Sequence, residues 1–229
     1  MFVPLTKRPR FCSENLKTFP DTLHSRAAST SKMVNILVPF FEGSGVDEKG
    51  RTLLEMIQFS DRDLENGHDY IQTMFPLPEG SRFNWDSSLV DRKVFEAFRS
   101  RLELQDNLRK AFERILLFWG FRLSREDDGL KVIQAENWES ASRIWVTRFN
   151  HNHLRITRVI RSLRVLGLGD EAVAFKDALT QDYLKRDVSP KSMLYWTRAA
   201  CRPLHIAPDV DEGEEQDVVG QKFLRDSEK

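Results

Sequence analysis

The chain has 229 residues, 40% of them hydrophobic and 31% charged, with 35 basic and 35 acidic side chains and a pI near 7.0. That is enough apolar material for one core of ordinary size, and the balanced charge gives no global pull toward nucleic acid or anionic lipid. Cys12 and Cys201 alone can build neither a disulfide framework nor a four-cysteine zinc site, and no apolar run approaches the roughly 18 residues of a membrane-spanning helix.

The first 32 residues carry Lys7, Arg8, Arg10, Lys17, Arg26 and Lys32 against Glu14 and Asp21. Pro4, Pro9 and Pro20 spoil the amphipathic helix a matrix-targeting peptide needs, so a disordered basic tail is expected over 1–37, with a targeting segment as the alternative. Lys7-Arg8-Pro9-Arg10 is a weak import-like cluster, and Met33 offers a second start.

A helical domain is expected from 38 to 203. Gly43, Gly45 and Gly50 make a flexible entry, and Leu53, Leu54 and Ile57 face inward on a short helix over 51–59. Ser60 with Asp61 and Asp63 starts the next helix, because the hydroxyl accepts orphan amide hydrogens and the acids suit the positive end of the dipole. Leu64, His68, Ile71 and Phe75 then fall on one face of a helix running to Phe75, which points His68 inward, and Pro76 and Pro78 end it. Phe83 and Trp85 sit in a polar loop as packed-down lids, and Val94, Phe95 and Phe98 share a helix side.

Leu104, Leu108, Phe112, Ile115 and Trp119 mark the strongest helix, which Gly120 stops. The period then changes around Asp127-Asp128-Gly129, predicting a small hairpin over 121–134. Asn137 caps a helix with Trp138, Ala141, Trp145 and Phe149 on one face, and Asn152 caps another with Ile156, Val159, Ile160, Leu163 and Leu166. Gly169-Asp170 opens a helix bearing Val173, Phe175, Leu179 and Tyr183, and Ser189-Pro190 caps a last one over 191–200. Residues 204–229 are acidic with little to bury, so a disordered tail is expected. The fold class is all-α: a single domain of about seven helices with a small β-hairpin insert and disordered N- and C-terminal tails.

Chemistry is sparse. His68, His151 and His153 lack metal-ligand spacing, there is no Gly-x-Ser-x-Gly elbow, and Gly167-Leu168-Gly169 lacks the further glycines and lysine of a phosphate loop. No catalytic residue, metal or cofactor is expected, and an enzyme built on His68 and the Asn/His run stands only as an alternative. Between Glu139 and Asp170 there is no acid, while Arg155, Arg158, Arg161 and Arg164 step by three along one helix. That row suits an acidic or phosphate partner, nucleic acid included, or else pairs with acids of neighbouring helices or of the tail.

His68-Asp69-Tyr70-Ile71-Gln72 followed by Phe75-Pro76-Leu77, then Phe83-Asn84-Trp85, then Phe149-Asn150-His151-Asn152-His153-Leu154-Arg155-Ile156-Thr157-Arg158 resemble, in that order, the signature blocks of the opioid growth factor receptor domain family. The resemblance spans about 38 to 168. It implies a non-enzymatic receptor for the opioid growth factor, a Met-enkephalin pentapeptide, in the nucleus or at the nuclear membrane periphery, or in the cytoplasm otherwise. It points to a short member of fungal or bacterial type lacking the repeats that follow the domain in vertebrates. If the blocks converge, His68, Asp69, Tyr70, Gln72, Asn84, Trp85, Asn150, His151, Asn152, Arg155 and Arg158 form a hydrogen-bonding, aromatic-rimmed patch suited to a short peptide. A buried polar network fixing how the helices meet is the competing reading.

Overall fold

The computed structural model describes residues 35–79, 88–126, 129–181, 184–211 and 222–228. Among these residues the order is α1 (Leu37–Glu42), α2 (Leu53–Ile57), α3 (Asp61–Asn66), α4 (Tyr70–Met74), α5 (Arg92–Ser100), α6 (Leu102–Phe118), β1 (Phe121–Glu126), β2 (Gly129–Gln134), α7 (Trp138–Trp145), α8 (His151–Val165), α9 (Gly169–Leu179), α10 (Pro190–Cys201) and α11 (Lys222–Asp226). The fold is helical with one antiparallel hairpin, as the sequence predicts, and no described helix is long and apolar enough to cross a membrane.

Local chemistry explains most boundaries. Thr52 and Ser60 each accept from the amide three residues on, Glu55 and Asp63, whose carboxylates reach back, making two capping boxes. Asp91, Asn150 and Ser189 cap α5, α8 and α10 through Val94, Asn152 and Ser192 amides, with Pro190 in the first turn of α10. Asn150 therefore holds the capping position expected of Asn152. The α6 stripe of Leu104, Leu108, Phe112, Ile115 and Trp119 is wholly buried. Gly120 ends it at φ 84°, where an added Cβ would lie 3.0 Å from Trp138 Cα, so the turn needs glycine both for its backbone angle and for its space.

The expected helix from Ser60 to Phe75 is two pieces. Gly67 is extended at φ −75° and ψ 139°, and the backbone bends through His68 and Asp69 before α4. His68 is consequently exposed, not inward. That split and the short α1 and α11 raise the count among the described residues to eleven helices where about seven were expected. Leu54 and Val173 also turn outward, and α7 stops at Trp145, which leaves Phe149 exposed. The segment read as a structureless acidic tail ends in α11, whose Leu224 is fully buried and whose Phe223 ring lies 5.3 Å from that of Phe95. Two apolar neighbours were enough to dock it. Asn84, Trp85, Phe83 and Tyr183 lie outside the described residues.

Helix α8 runs through the middle, packed against α9 and α10. Beside it Trp119 stacks on Phe175 at 5.9 Å and 13°, and Phe121, Trp145 and Trp196 extend the aromatic cluster, with the His153 ring 5.5 Å from that of Trp196. Large rings that bury ~150–250 Å² each supply much of this core.

Candidate functional site

The N-terminal half of α8 brings the first and third sequence blocks together. Gly67, which closes α3, has no side group to cap the helix end, so the last carbonyls need donors from elsewhere. Arg155 supplies them: Nη1 donates to Leu64 O at 2.9 Å, and Nη2 to Gly67 O at 2.5 Å and Glu65 O at 3.3 Å. The same guanidinium donates to Asn152 Oδ1 and reaches His68 Nδ1 at 3.3 Å, 5.7 Å from the centre of the Tyr70 ring. Tyr70 donates its hydroxyl to Leu64 O, and burial pushes its pKa up to about 12. Asn152 donates to Glu65 Oε2 at 3.1 Å, and His151 Nε2 lies 3.4 Å from Glu65 Oε1. Burial, then the neighbouring Arg155 charge, hold the His151 pKa below its ordinary value despite Glu65.

The four arginines, read as either a basic surface or a set of internal partners, turn inward. Arg158 Nε donates to Phe75 O at 2.9 Å, Arg161 Nη2 to Glu79 Oε1 at 2.6 Å and Leu204 O, and Arg164 Nη1 to Arg202 O. Ser162 Oγ adds a bond to Pro76 O. Burial lowers the Arg158 pKa to about 10. Each guanidinium satisfies backbone carbonyls where helices end or the proline-rich segment passes, and Arg161 adds an ion pair with Glu79.

Of the other expected site residues, Asp69 joins a second network. Its Oδ2 accepts from Arg51 Nη2 at 2.6 Å and Lys49 Nζ at 2.9 Å, while Asp47, buried, accepts two Arg51 donors and two amides. Burial would raise the Asp69 pKa, but the Lys49 and Arg51 bonds hold it below the usual carboxylate range. Gln72 is buried, its Oε1 has no partner among the described residues, and it shares no hydrogen bond with Asn150. Asn150 Nδ2 donates to Ile144 O. Thus Tyr70, Gln72, Asn152 and Arg155 are withdrawn from solvent, whereas His68, His151 and part of Asn150 and Arg158 remain at the surface. No cluster of histidine, cysteine or acidic side chains among the described residues could hold a metal.

A groove opens on the outer side of α8. One cavity of 580 Å³ lies between α8 and α10, lined by Phe149, Asn150, His151, His153, Leu154, Thr157, Ser189, Lys191, Ser192 and Tyr195. A second, of 230 Å³, shares Leu154, Thr157 and Tyr195 and continues past Arg158 and Glu79 to Asp209. Phe149 is 79% and Leu154 59% exposed on its wall. Its floor is rigid: His153 Nε2 donates to Trp145 O at 3.0 Å, which leaves Nδ1 to accept from Ser192 Oγ at 2.9 Å, and Trp196 Nε1 donates to His153 O. Desolvation lowers the His153 pKa, keeping it neutral in this role. Sequence reasoning placed Phe149 on a buried face and passed over Leu154 and Tyr195. The apolar stripe of α8 skips Leu154, and that gap was the available signal.

Residues 49–197 match the model of the "Opioid growth factor receptor (OGFr) conserved region". The sequence is 40% identical over 105 residues to the opioid growth factor receptor of Rattus norvegicus and 41% identical over 106 residues to that of Homo sapiens, covering 46% of this protein in each case. It is 34% identical over 104 residues to the opioid growth factor receptor-like protein 1 of Mus musculus. The aligned part is 18%, 15% and 22% of those relatives, so the match takes in under a quarter of their length. No solved structure matches. The chain belongs to the opioid growth factor receptor family.

Proposed function

We propose that the domain is a non-enzymatic, receptor-like binder of a short peptide, and that the groove between α8 and α10 is where the peptide lies. The carrying observation is the exposure of Phe149 and Leu154 in the family's Asn/His block, on the wall of a preformed cavity whose floor is locked by hydrogen bonds. Large apolar side chains held in water beside a concavity mark a binding surface. Asn150, His151 and Arg158, three of the residues expected at the site, lie along the same groove. The relatives' name supplies the first ligand to try, an enkephalin-type opioid growth factor peptide.

The test is titration of the full-length protein with Met-enkephalin, followed by thermal shift and calorimetry. Binding to the native state raises the apparent midpoint. Leu154→Arg and Phe149→Ser should abolish that rise while leaving the ligand-free midpoint nearly unchanged, since both side chains are already exposed. A midpoint indifferent to the peptide, or one that rises equally in both variants, would overturn the reading. By the same family reasoning we propose residence in the nucleus or at the nuclear membrane periphery, to be checked by imaging the tagged protein.

A further inference from the structure

The hairpin carries a second opening. Pairing runs Phe121↔Gln134, Leu123↔Val132 and Arg125↔Leu130, and beyond it Ala135 N donates to Gly120 O at 2.8 Å. In an antiparallel ladder every second pair exchanges main-chain bonds. Gly120–Ala135 is such a pair, so Ile133, Lys131 and Gly129 bond β1, and Leu130, Val132 and Gln134 turn their N–H and C=O groups to the outer edge. Among the described residues no main-chain bond outside the ladder reaches these three.

That edge faces a groove. A cavity of 760 Å³ is lined by the consecutive residues 130–134 on one side and by Ala174, Asp177, Ala178 and Gln181 of α9 and its end on the other. Ala174 and Ala178 are one helical turn apart and short, so α9 packs closely against β2 and leaves a low apolar floor beside the strand's open edge. One base, Lys131, and one acid, Asp177, line it, and Asp177 is paired with Lys176. The lining therefore has no net charge to recommend it to nucleic acid or an anionic membrane. What it offers is a row of main-chain donors and acceptors at strand spacing beside an apolar floor, the chemistry that recognises an extended polypeptide.

We propose that β2 accepts an extended peptide segment of a partner protein as a third strand, seated along the open edge of β2 and over the adjoining surface of α9. The partner segment supplies alternating main-chain bonds to Leu130, Val132 and Gln134 and puts a small or apolar side chain over Ala174 and Ala178. Edge-to-edge pairing with a second copy of the hairpin is disfavoured, because α9 stands beside β2 in each copy and would meet its counterpart. This site is separate from the groove between α8 and α10 and does not depend on it.

The probe is a random dodecapeptide phage library panned against the full-length protein. Selected peptides should lose at least tenfold in affinity to Gln134→Pro, which removes an outward N–H at an exposed edge position without touching the ladder to β1, and to Ala178→Trp, which fills the groove. Leu154→Arg should leave them unaffected. N-methylation at alternate peptide nitrogens should abolish binding and at the intervening ones should not, and bound peptide should slow amide exchange at Leu130, Val132 and Gln134. If Gln134→Pro or Ala178→Trp fails to fold, the methylation series still decides. Panning that yields no peptide above background, peptides insensitive to Ala178→Trp, or a self-associating protein whose dimer is broken by Ala178→Trp would each overturn the proposal.

Discussion

Arg155 shows how one side chain can hold two distant segments together. It is buried, and its fork fills three carbonyls at the end of α3, sharing that of Leu64 with the Tyr70 hydroxyl, so removing it strips a donor from each. Arg155→Ala should cost about 3–5 kcal/mol in denaturant unfolding, and Arg155→Lys should recover little, because a single ammonium cannot span the fork. His68→Ala, by contrast, should shift stability by no more than about 0.5 kcal/mol, since the ring is exposed. His153 carries the pH dependence. Its folded pKa is depressed, so below the unfolded value of about 6.5 the unfolded state takes up the proton first, and stability present above that pH falls as pH drops toward the folded value. His151 shifts in the same direction and adds to the slope. Unfolding midpoints measured from about pH 8 to about pH 5 should decline, and His153→Gln should flatten the curve.

At the scale of elements, the helices whose information is local were legible. The Ser60 and Ser189 caps, the α6 stripe and the hairpin each act within a few residues, and each stands where the local pattern put it. The break between α3 and α4 was not legible, because the periodicity of Leu64, Ile71 and Phe75 continues across it, and the guanidinium that stabilises the break comes from 88 residues away. The arginine row was legible only in part: Arg161 pairs with an acid of a neighbouring segment, one of the two readings, but the other acceptors are mostly backbone carbonyls, which no composition count reveals. Phe149, on the groove wall, looks in sequence like any core residue until α7 is seen to stop at Trp145, whereas Leu154 betrays itself only by the gap it leaves in the α8 stripe. Gly120 tests the local logic. With φ at 84° and Trp138 Cα 3.0 Å from any Cβ, Gly120→Ala should lower stability by about 1–3 kcal/mol, read as a lower unfolding midpoint with unchanged cooperativity.

For the whole molecule, the buried cluster begins at Leu37 and ends at Leu224, so the core draws on both ends of the described residues. Deleting residues 1–33 should leave a single cooperative transition, because every described core residue lies in the compact unit from Val34 to Lys229. The opposite holds at the other end. Helix α11 buries Leu224, sets Phe223 on Phe95, pairs Asp226 with Arg92 at 3.6 Å, and is followed by Glu228, whose carboxylate accepts from Leu204 N and lies 3.1 Å from His205 Nδ1. The Arg92–Asp226 pair is exposed enough to contribute little, so the apolar contacts carry most of the docking. Burying a leucine contributes about 1.5–3 kcal/mol, and a helix this short has no stability of its own in water, so α11 should dock all at once or not at all. Removing residues 222–229 should therefore lower the midpoint by several degrees, and Leu224→Asp should reproduce most of that loss. Arg92→Ala, which deletes only exposed ion pairs to Asp226 and Glu96, should leave the midpoint nearly where it was. A truncation with no effect on the midpoint would mean that α11 is undocked in solution and that Phe95 is covered by nothing from the C-terminal segment.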